Sequence, residues 1–201
     1  MRYASIDKCE YTNGEGIGVS LFVQGCHFHC KNCFNPETWD FTGGNLWNGY
    51  AENKLIEYLS RPYVDRLTIL GGEPLCDENI SNVYILLLKI REKFPEKQIW
   101  IYTGYEIDSI FEKAINDENS FDVLRASAIL LADVIVDGQF EHDKVDTYNK
   151  HIIWAGSYNQ RVIDIPQFKN NVIQYIKENN CFARNERSDK KWRYYLKVQK
   201  K

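Results

Sequence analysis

Cys26, Cys30 and Cys33 lie within eight residues, spaced C-x3-C-x2-C, in the stretch Gly25-Cys26-His27-Phe28-His29-Cys30-Lys31-Asn32-Cys33-Phe34-Asn35-Pro36. Thiolates this close let the chain fold round one inorganic centre with every sulfur turned inward. Three donors are one short of the four that a closed tetrahedral zinc or cubane site takes. Either a distant donor completes the set, or the missing position is an open one for a substrate. Soft thiolates suit iron–sulfur iron. A zinc site completed by His27, His29 or a distant cysteine is the alternative, but such sites usually pair two C-x2-C elements and the sequence holds no second pair.

The elements that must position these sulfurs follow from hydrophobic periodicity. Gly18 to Val23 is a buried strand that delivers the cysteine loop at its carboxyl end. Residues 1–16 read as polar, ending in a turn-rich entry loop at Asn13-Gly14-Glu15-Gly16. Glu37 to Gly49 reads as loop, and Ala51 to Ser60 as a helix with Leu55, Ile56 and Leu59 on one side. Arg66 to Leu70 is a second strand running into Gly71-Gly72-Glu73-Pro74, followed by a helix over Asn79 to Phe94 that Pro95 ends. Gln98 to Tyr102 leads into Thr103-Gly104-Tyr105, and helices follow at Ile107 to Ile115 and Asp122 to Leu131. Asp133 to Val136 ends at Asp137-Gly138, with short strands expected at His151 to Trp154 and Val162 to Ile165. Strand, loop and helix repeating in this way predict an α/β fold, mostly parallel sheet with outer helices, open and doubly wound or curved into a partial barrel. In both, function gathers at the carboxyl ends of the strands. The cysteine loop, Gly71-Gly72-Glu73-Pro74, Thr103-Gly104 and Asp137-Gly138 all fall there. Five or six strands suit a partial barrel better than a closed one, which typically needs ~250 residues.

Composition bounds the rest. With 201 residues, 44% hydrophobic and 14% aromatic, the chain is a folded domain, or one domain with an appendage. A net charge of -3 gives no case for nucleic acid or membrane as partner. No apolar run reaches the ~20 residues of a spanning helix, and Met1 to Asp7 has no signal-peptide core, so a cytoplasmic protein with reduced thiols is expected. Residues 167–201 hold ten Lys and Arg against three Asp and Glu, leaving 15 against 25 for residues 1–166. The expected division is a domain over 1–166 and a basic appendage over 167–201, with Val172 to Ile176 helical and Tyr194 to Val198 alternating like a strand. Cys9, Cys76 and Cys181 are isolated and read as small buried hydrophobes. His27 and His29 read as solvated or as partners of ligand sulfurs, and Trp39 and Trp47 as core or docking rim.

The cysteine spacing, with Phe34 after the last cysteine, resembles the signature of radical S-adenosylmethionine enzymes, and Gly71-Gly72-Glu73-Pro74 is similar to their second motif. A narrower set resembles the activating proteins of anaerobic ribonucleoside-triphosphate reductases, from about Tyr11 to Ile165. It comprises Asn13-Gly14 with Gly16, the run Asn35 to Trp39, Trp100 with Tyr102 to Tyr105, Val136-Asp137-Gly138 and Trp154 to Arg161. The chain departs in having Tyr102 where the family often has Trp, and Glu73 where some members have Asp. The appendage is not covered.

The resemblance implies a partial (β/α) barrel of the radical S-adenosylmethionine type. It implies a [4Fe–4S] cluster held by Cys26, Cys30 and Cys33, its fourth iron chelated by S-adenosylmethionine, whose reductive cleavage yields a 5′-deoxyadenosyl radical. The implied partner is a large glycyl-radical ribonucleotide reductase subunit, with a reduced flavodoxin or ferredoxin as electron donor. Asn32, Cys33 and Phe34 would line the cofactor, with Phe34 near the adenine. Gly71, Gly72 and Glu73 would hold the methionyl end, the Glu73 carboxylate accepting from its ammonium group. Thr103 and Asp137 would meet the ribose or the amine, with turn capping an equal alternative for Asp137. Activation of another glycyl-radical enzyme, such as a formate acetyltransferase, and a non-catalytic zinc-binding interaction module are the competing readings.

Overall fold

The computed structural model describes residues 1–116, 120–145 and 153–178. Its strands are β1 (Arg2–Glu10), β2 (Gly18–Gln24), β3 (Asn45–Leu46), β4 (Arg66–Gly71), β5 (Gln98–Tyr102), β6 (Val134–Asp137) and β7 (Arg161–Asp164). Its helices are α1 (Gly49–Leu59), α2 (Asp77–Lys93), α3 (Ile107–Asn116), α4 (Ser120–Leu131) and α5 (Ile165–Glu178). Among the described residues the strands form one sheet in the order β3-β1-β2-β4-β5-β6-β7.

The centre of the sheet, β2-β4-β5-β6, is parallel as the strand–helix rhythm predicts. Strand alternation divides its two faces. Val19, Leu21, Val23, Leu67, Ile69, Ile99, Ile101 and Ile135 point to one side and share a core with Leu55, Leu59, Ile80, Val83, Leu86, Leu87, Ile90 and Ile129 of the helices. The helices start and stop where local chemistry directs. Asn48 caps α1 by accepting the Ala51 N–H at 3.0 Å. α2 carries Asp77 and Glu78 in its first turn and Arg91 and Lys93 in its last, which matches its dipole.

The other face carries Ser20, Arg66, Thr68 and Trp100, and the Tyr11–Ile17 connection folds over it. Arg66, fully buried, donates to Glu10 Oε1 at 2.6 Å, Asn13 O at 3.3 Å and Gly16 O at 3.1 Å. Thr68 Oγ1 donates to Asn13 O at 2.9 Å. The Asn13-Gly14-Glu15-Gly16 turn is thereby fastened beneath the sheet.

Three expectations are corrected. Residues 2–10 are a strand, not part of the entry loop, because a short link returning beside β2 allows antiparallel pairing despite a polar, half-exposed sequence. The flanking strands are antiparallel too: β3 on β1, and β7 on β6, so the sheet is mixed rather than mostly parallel. Ile153 and Trp154 form a bend, not a strand; His151 and Ile152 lie outside the described residues. Val172 to Ile176 is helical within α5, which begins at the buried Ile165 and so runs across residue 166. Cys181 and Tyr194 to Val198 lie outside the described residues.

Candidate metal centre

The cysteine loop leaves β2 at Gly25, whose φ of 96° is in the left-handed region that favours glycine. It is anchored at once, since Gly25 N donates to Thr38 O at 2.7 Å and Cys26 N to Trp39 O at 3.1 Å. Between the cysteines the backbone turns sharply, with φ of 47° at His29 and 54° at Asn32. Cys33 N donates to Cys30 O at 3.1 Å, and Asn35 N to the Cys33 sulfur at 3.4 Å. These turns gather three half-buried free thiols on one short loop.

The loop lies across three successive strand ends. After β4, Gly72 N donates to Val23 O at 2.9 Å and Glu73 N to Gly25 O at 2.7 Å. Gly72 backs directly onto the loop, and a Cβ there would come within 2.4 Å of Gly25 O. After β5, the Phe28 ring covers Gly104 and meets Tyr105 edge-on at 5.0 Å. After β6, the Phe34 ring, 70% exposed, lies 5.0 Å from the Phe140 ring. The four segments expected at one rim do meet there.

The residues named from sequence divide into two sets. Cys26, Cys30, Cys33, Asn32, Phe34, Gly71 and Gly72 keep accessible surface at the rim. Glu73, Thr103 and Asp137 are buried, with their polar atoms occupied inside the protein. Glu73 Oε1 accepts from Leu75 N at 2.9 Å and Thr103 Oγ1 at 2.8 Å, and Oε2 accepts from Gly104 N at 2.8 Å. Burial raises its pKa to about 7 against these bonds. The Thr103 hydroxyl also accepts from Tyr105 N at 3.1 Å. Asp137, fully buried, accepts from Ile107 N at 2.9 Å, capping α3, and from Arg161 Nε at 2.8 Å. These three side chains tie one strand-end loop to the next.

The donor set itself is soft, three thiols with no carboxylate on the loop between them, and it fits iron–sulfur iron. Burial pushes the Cys26 thiol up to about 11 and raises Cys30 as well, so thiolates here need the positive charge of a bound metal. Among the described residues no three His, Cys, Asp or Glu side chains converge on a single-ion position.

The neighbouring residues take plainer roles. Cys76 is buried, its thiol raised by burial, at the N-terminus of α2. Cys9 is exposed rather than buried as expected. His27 Nε2 lies 3.0 Å from Glu78 Oε1 with its ring on Phe41, and His29 packs on Trp39. Trp47 packs edge-on against Tyr3. Sequence reasoning missed Phe28 and Phe140 as parts of the site; their signal was adjacency to the motif cysteines and to Asp137-Gly138.

Comparison with known proteins agrees with this geometry. Residues 12–163 match the protein family described as a 4Fe-4S single cluster domain. The anaerobic ribonucleoside-triphosphate reductase-activating protein of Enterobacteria phage T4 is 34% identical over 162 residues, covering 81% of this chain and 93% of that protein. Proteins of the same name from Pasteurella multocida (strain Pm70) and Escherichia coli (strain K12) are each 31% identical, over 84% and 81% of this chain and 100% and 97% of their own lengths. The chain thus belongs to the family of anaerobic ribonucleoside-triphosphate reductase-activating proteins, with the 4Fe-4S single cluster domain as its body.

Proposed function

We propose that this chain is a radical S-adenosylmethionine activase that generates a glycyl radical on an anaerobic ribonucleoside-triphosphate reductase. The observation that carries the reading is the joining of the cysteine loop to the Gly71-Gly72-Glu73 turn through Gly72 N to Val23 O and Glu73 N to Gly25 O. It places three thiols and a glycine turn side by side at the carboxyl edge of the parallel strands. When bound, a [4Fe–4S] cluster and S-adenosylmethionine supply one-electron cleavage of the sulfonium and removal of a hydrogen atom from the partner's glycine.

The chain's own residues bind and orient. Cys26, Cys30 and Cys33 hold three irons and leave one open. The backbone of Gly71 and Gly72 receives the methionyl end, where the absence of side chains allows close approach. Asn32, Cys33 and Phe34 line the adenosyl part, with the exposed Phe34 ring offering an apolar face. Glu73, Thr103 and Asp137 keep the strand-end loops in register. The body is read as a partial (β/α) barrel over 1–166 with a basic appendage over 167–201. The protein works in the cytoplasm with a reduced flavodoxin or ferredoxin; among the described residues no helix is long and apolar enough to cross a membrane.

Anaerobic reconstitution with iron and sulfide tests the reading. The expected product is a brown protein with about four irons per chain. With reductant it should convert S-adenosylmethionine to methionine and 5′-deoxyadenosine. A colourless protein holding stoichiometric zinc and inert toward S-adenosylmethionine would refute it and favour the interaction module.

A further inference from the structure

The face of the sheet turned away from the helices carries two rows of different chemistry. Register sets the lower row as Ser20, Thr68 and Trp100 on β2, β4 and β5. Ser20 Oγ donates to Glu10 Oε1 at 2.7 Å, Thr68 Oγ1 to Asn13 O at 2.9 Å, and the Trp100 ring meets Trp154 edge-on at 5.9 Å. A Cβ on Gly14 would come within 2.9 Å of the Trp100 ring, so the Tyr11–Ile17 connection closes this face from below.

The next row toward the rim is apolar. Phe22 pairs with Leu70, Tyr102 with Val136 and Val136 with Val162, and Leu70 stands beside Tyr102 because Ile69 pairs with Ile101. The three middle residues each lead straight into a rim turn: Leu70 into Gly71-Gly72, Tyr102 into Thr103-Gly104, Val136 into Asp137-Gly138. The row therefore lies directly beneath the strand ends that the cysteine loop crosses. Leu70 and Val136 are buried, but Phe22 and Tyr102 are half-buried and Val162 is 41% exposed, so the row keeps accessible surface. Its one polar side-chain atom is the Tyr102 hydroxyl. Among the described residues that hydroxyl has no hydrogen-bond partner. Burial pushes its pKa up, so it stays protonated and able to donate. A hydroxyl left unpaired on a half-buried ring marks a place where a ligand can bond. With apolar neighbours on both sides, the fitting ligand is a main chain that brings one carbonyl to it, and a glycine lets that main chain come close.

We propose that Tyr102 is a substrate-binding residue whose hydroxyl donates to a main-chain carbonyl of the glycine-bearing segment of the reductase, holding that glycine beneath the cysteine loop. The proposal rests on the reading of this chain as a glycyl-radical activase. It makes the apolar row the seat of the segment and the fastened Asn13-Gly14-Glu15-Gly16 turn its floor.

The test uses the full-length chain and an anaerobic ribonucleoside-triphosphate reductase. Affinity is read by calorimetry without S-adenosylmethionine. The reconstituted chain is then run with reductant and S-adenosylmethionine, counting glycyl radical by electron paramagnetic resonance and 5′-deoxyadenosine by product analysis, with iron content and thermal melting alongside. Tyr102→Phe keeps the ring and removes the hydroxyl. It should weaken binding of the reductase about tenfold, the scale of one lost hydrogen bond. It should also raise the 5′-deoxyadenosine made per glycyl radical, because the cofactor is cleaved with the glycine out of place. Tyr102→Trp, which returns an N–H donor on a larger ring, should recover part of both losses. A merely structural role would lower iron content or melting temperature and scale both products together, leaving their ratio at the wild-type value. An unchanged affinity or an unchanged ratio in Tyr102→Phe overturns the proposal. Should that variant hold no cluster, Tyr102→Met, which also lacks the hydroxyl, is read in the same way, and wild-type values there overturn it. A wild-type chain that cleaves no S-adenosylmethionine, or leaves no radical on the reductase, overturns the activase reading and this proposal with it.

Discussion

Two buried carboxylates show how single residues hold this site, and they titrate in opposite senses. Burial raises the Glu10 carboxyl, but the Ser20 hydroxyl, the Thr12 and Asn13 N–H groups and Arg66 outweigh it and leave the pKa below 4.5. Its stabilisation is present above about pH 4.5 and is lost as pH falls through the folded value. Glu73 is raised from 4.5 to about 7, so its contribution is full below 4.5 and is lost as pH rises through 7. In metal-free protein, thermal melts should show the stability of wild type relative to Glu73→Gln falling as pH rises across that window; a flat difference would contradict the raised pKa. Glu10→Gln leaves the buried Arg66 guanidinium without its charge partner and should cost about 3–5 kcal/mol in denaturant unfolding. At the rim, Cys30→Ala removes one of the three proposed cluster ligands. It should lose most bound iron and all S-adenosylmethionine cleavage, as measured by iron assay and product analysis.

At the scale of elements, the rim was legible in the sequence because its segments follow strands of strong, buried pattern. Gly18 to Val23, Arg66 to Leu70 and Gln98 to Tyr102 announce themselves by β-branched and apolar runs, and the glycine turn after β4 announces a backbone approach. What the glycine approaches was not legible. Besides the ligand contact proposed for it, the missing side chain of Gly72 makes room for Gly25 O, at the root of the cysteine loop. Gly72→Val should therefore displace that loop and lower iron retention along with cofactor binding, read by iron content after gel filtration. Full iron with only weakened cofactor binding would contradict this role of Gly72. β1 was hidden because a half-exposed strand carrying Asp7, Lys8 and Glu10 has no apolar run, and its pairing with β2 is a tertiary fact. The buried roles of Glu73, Thr103 and Asp137 were hidden for a related reason. Residue type marks a carboxylate or hydroxyl as able to bond, but only packing decides whether its partner is a ligand or the next loop.

For the molecule as a whole, the cysteine loop is laid over the ends of β4, β5 and β6 like a strap, and each crossing has its own contact: Gly25 on Gly72, Phe28 on Gly104, Phe34 on Phe140. The helices close the opposite face of the sheet. This leaves the thiols and the exposed Phe34 on an outward rim, where a loop of a large partner can reach them. The acidic balance of residues 1–166 and the basic balance of residues 167–201 divide the chain by charge as well. The central claim is that the rim serves a protein glycine. The most direct measurement mixes the anaerobically reconstituted chain with reductant, S-adenosylmethionine and an anaerobic ribonucleoside-triphosphate reductase, and reads electron paramagnetic resonance. The account predicts a glycine-centred doublet on the reductase, formed in step with 5′-deoxyadenosine and absent when that glycine is replaced by alanine. Cleavage of S-adenosylmethionine with no radical on the reductase, or a radical that forms equally well without this chain, would contradict it.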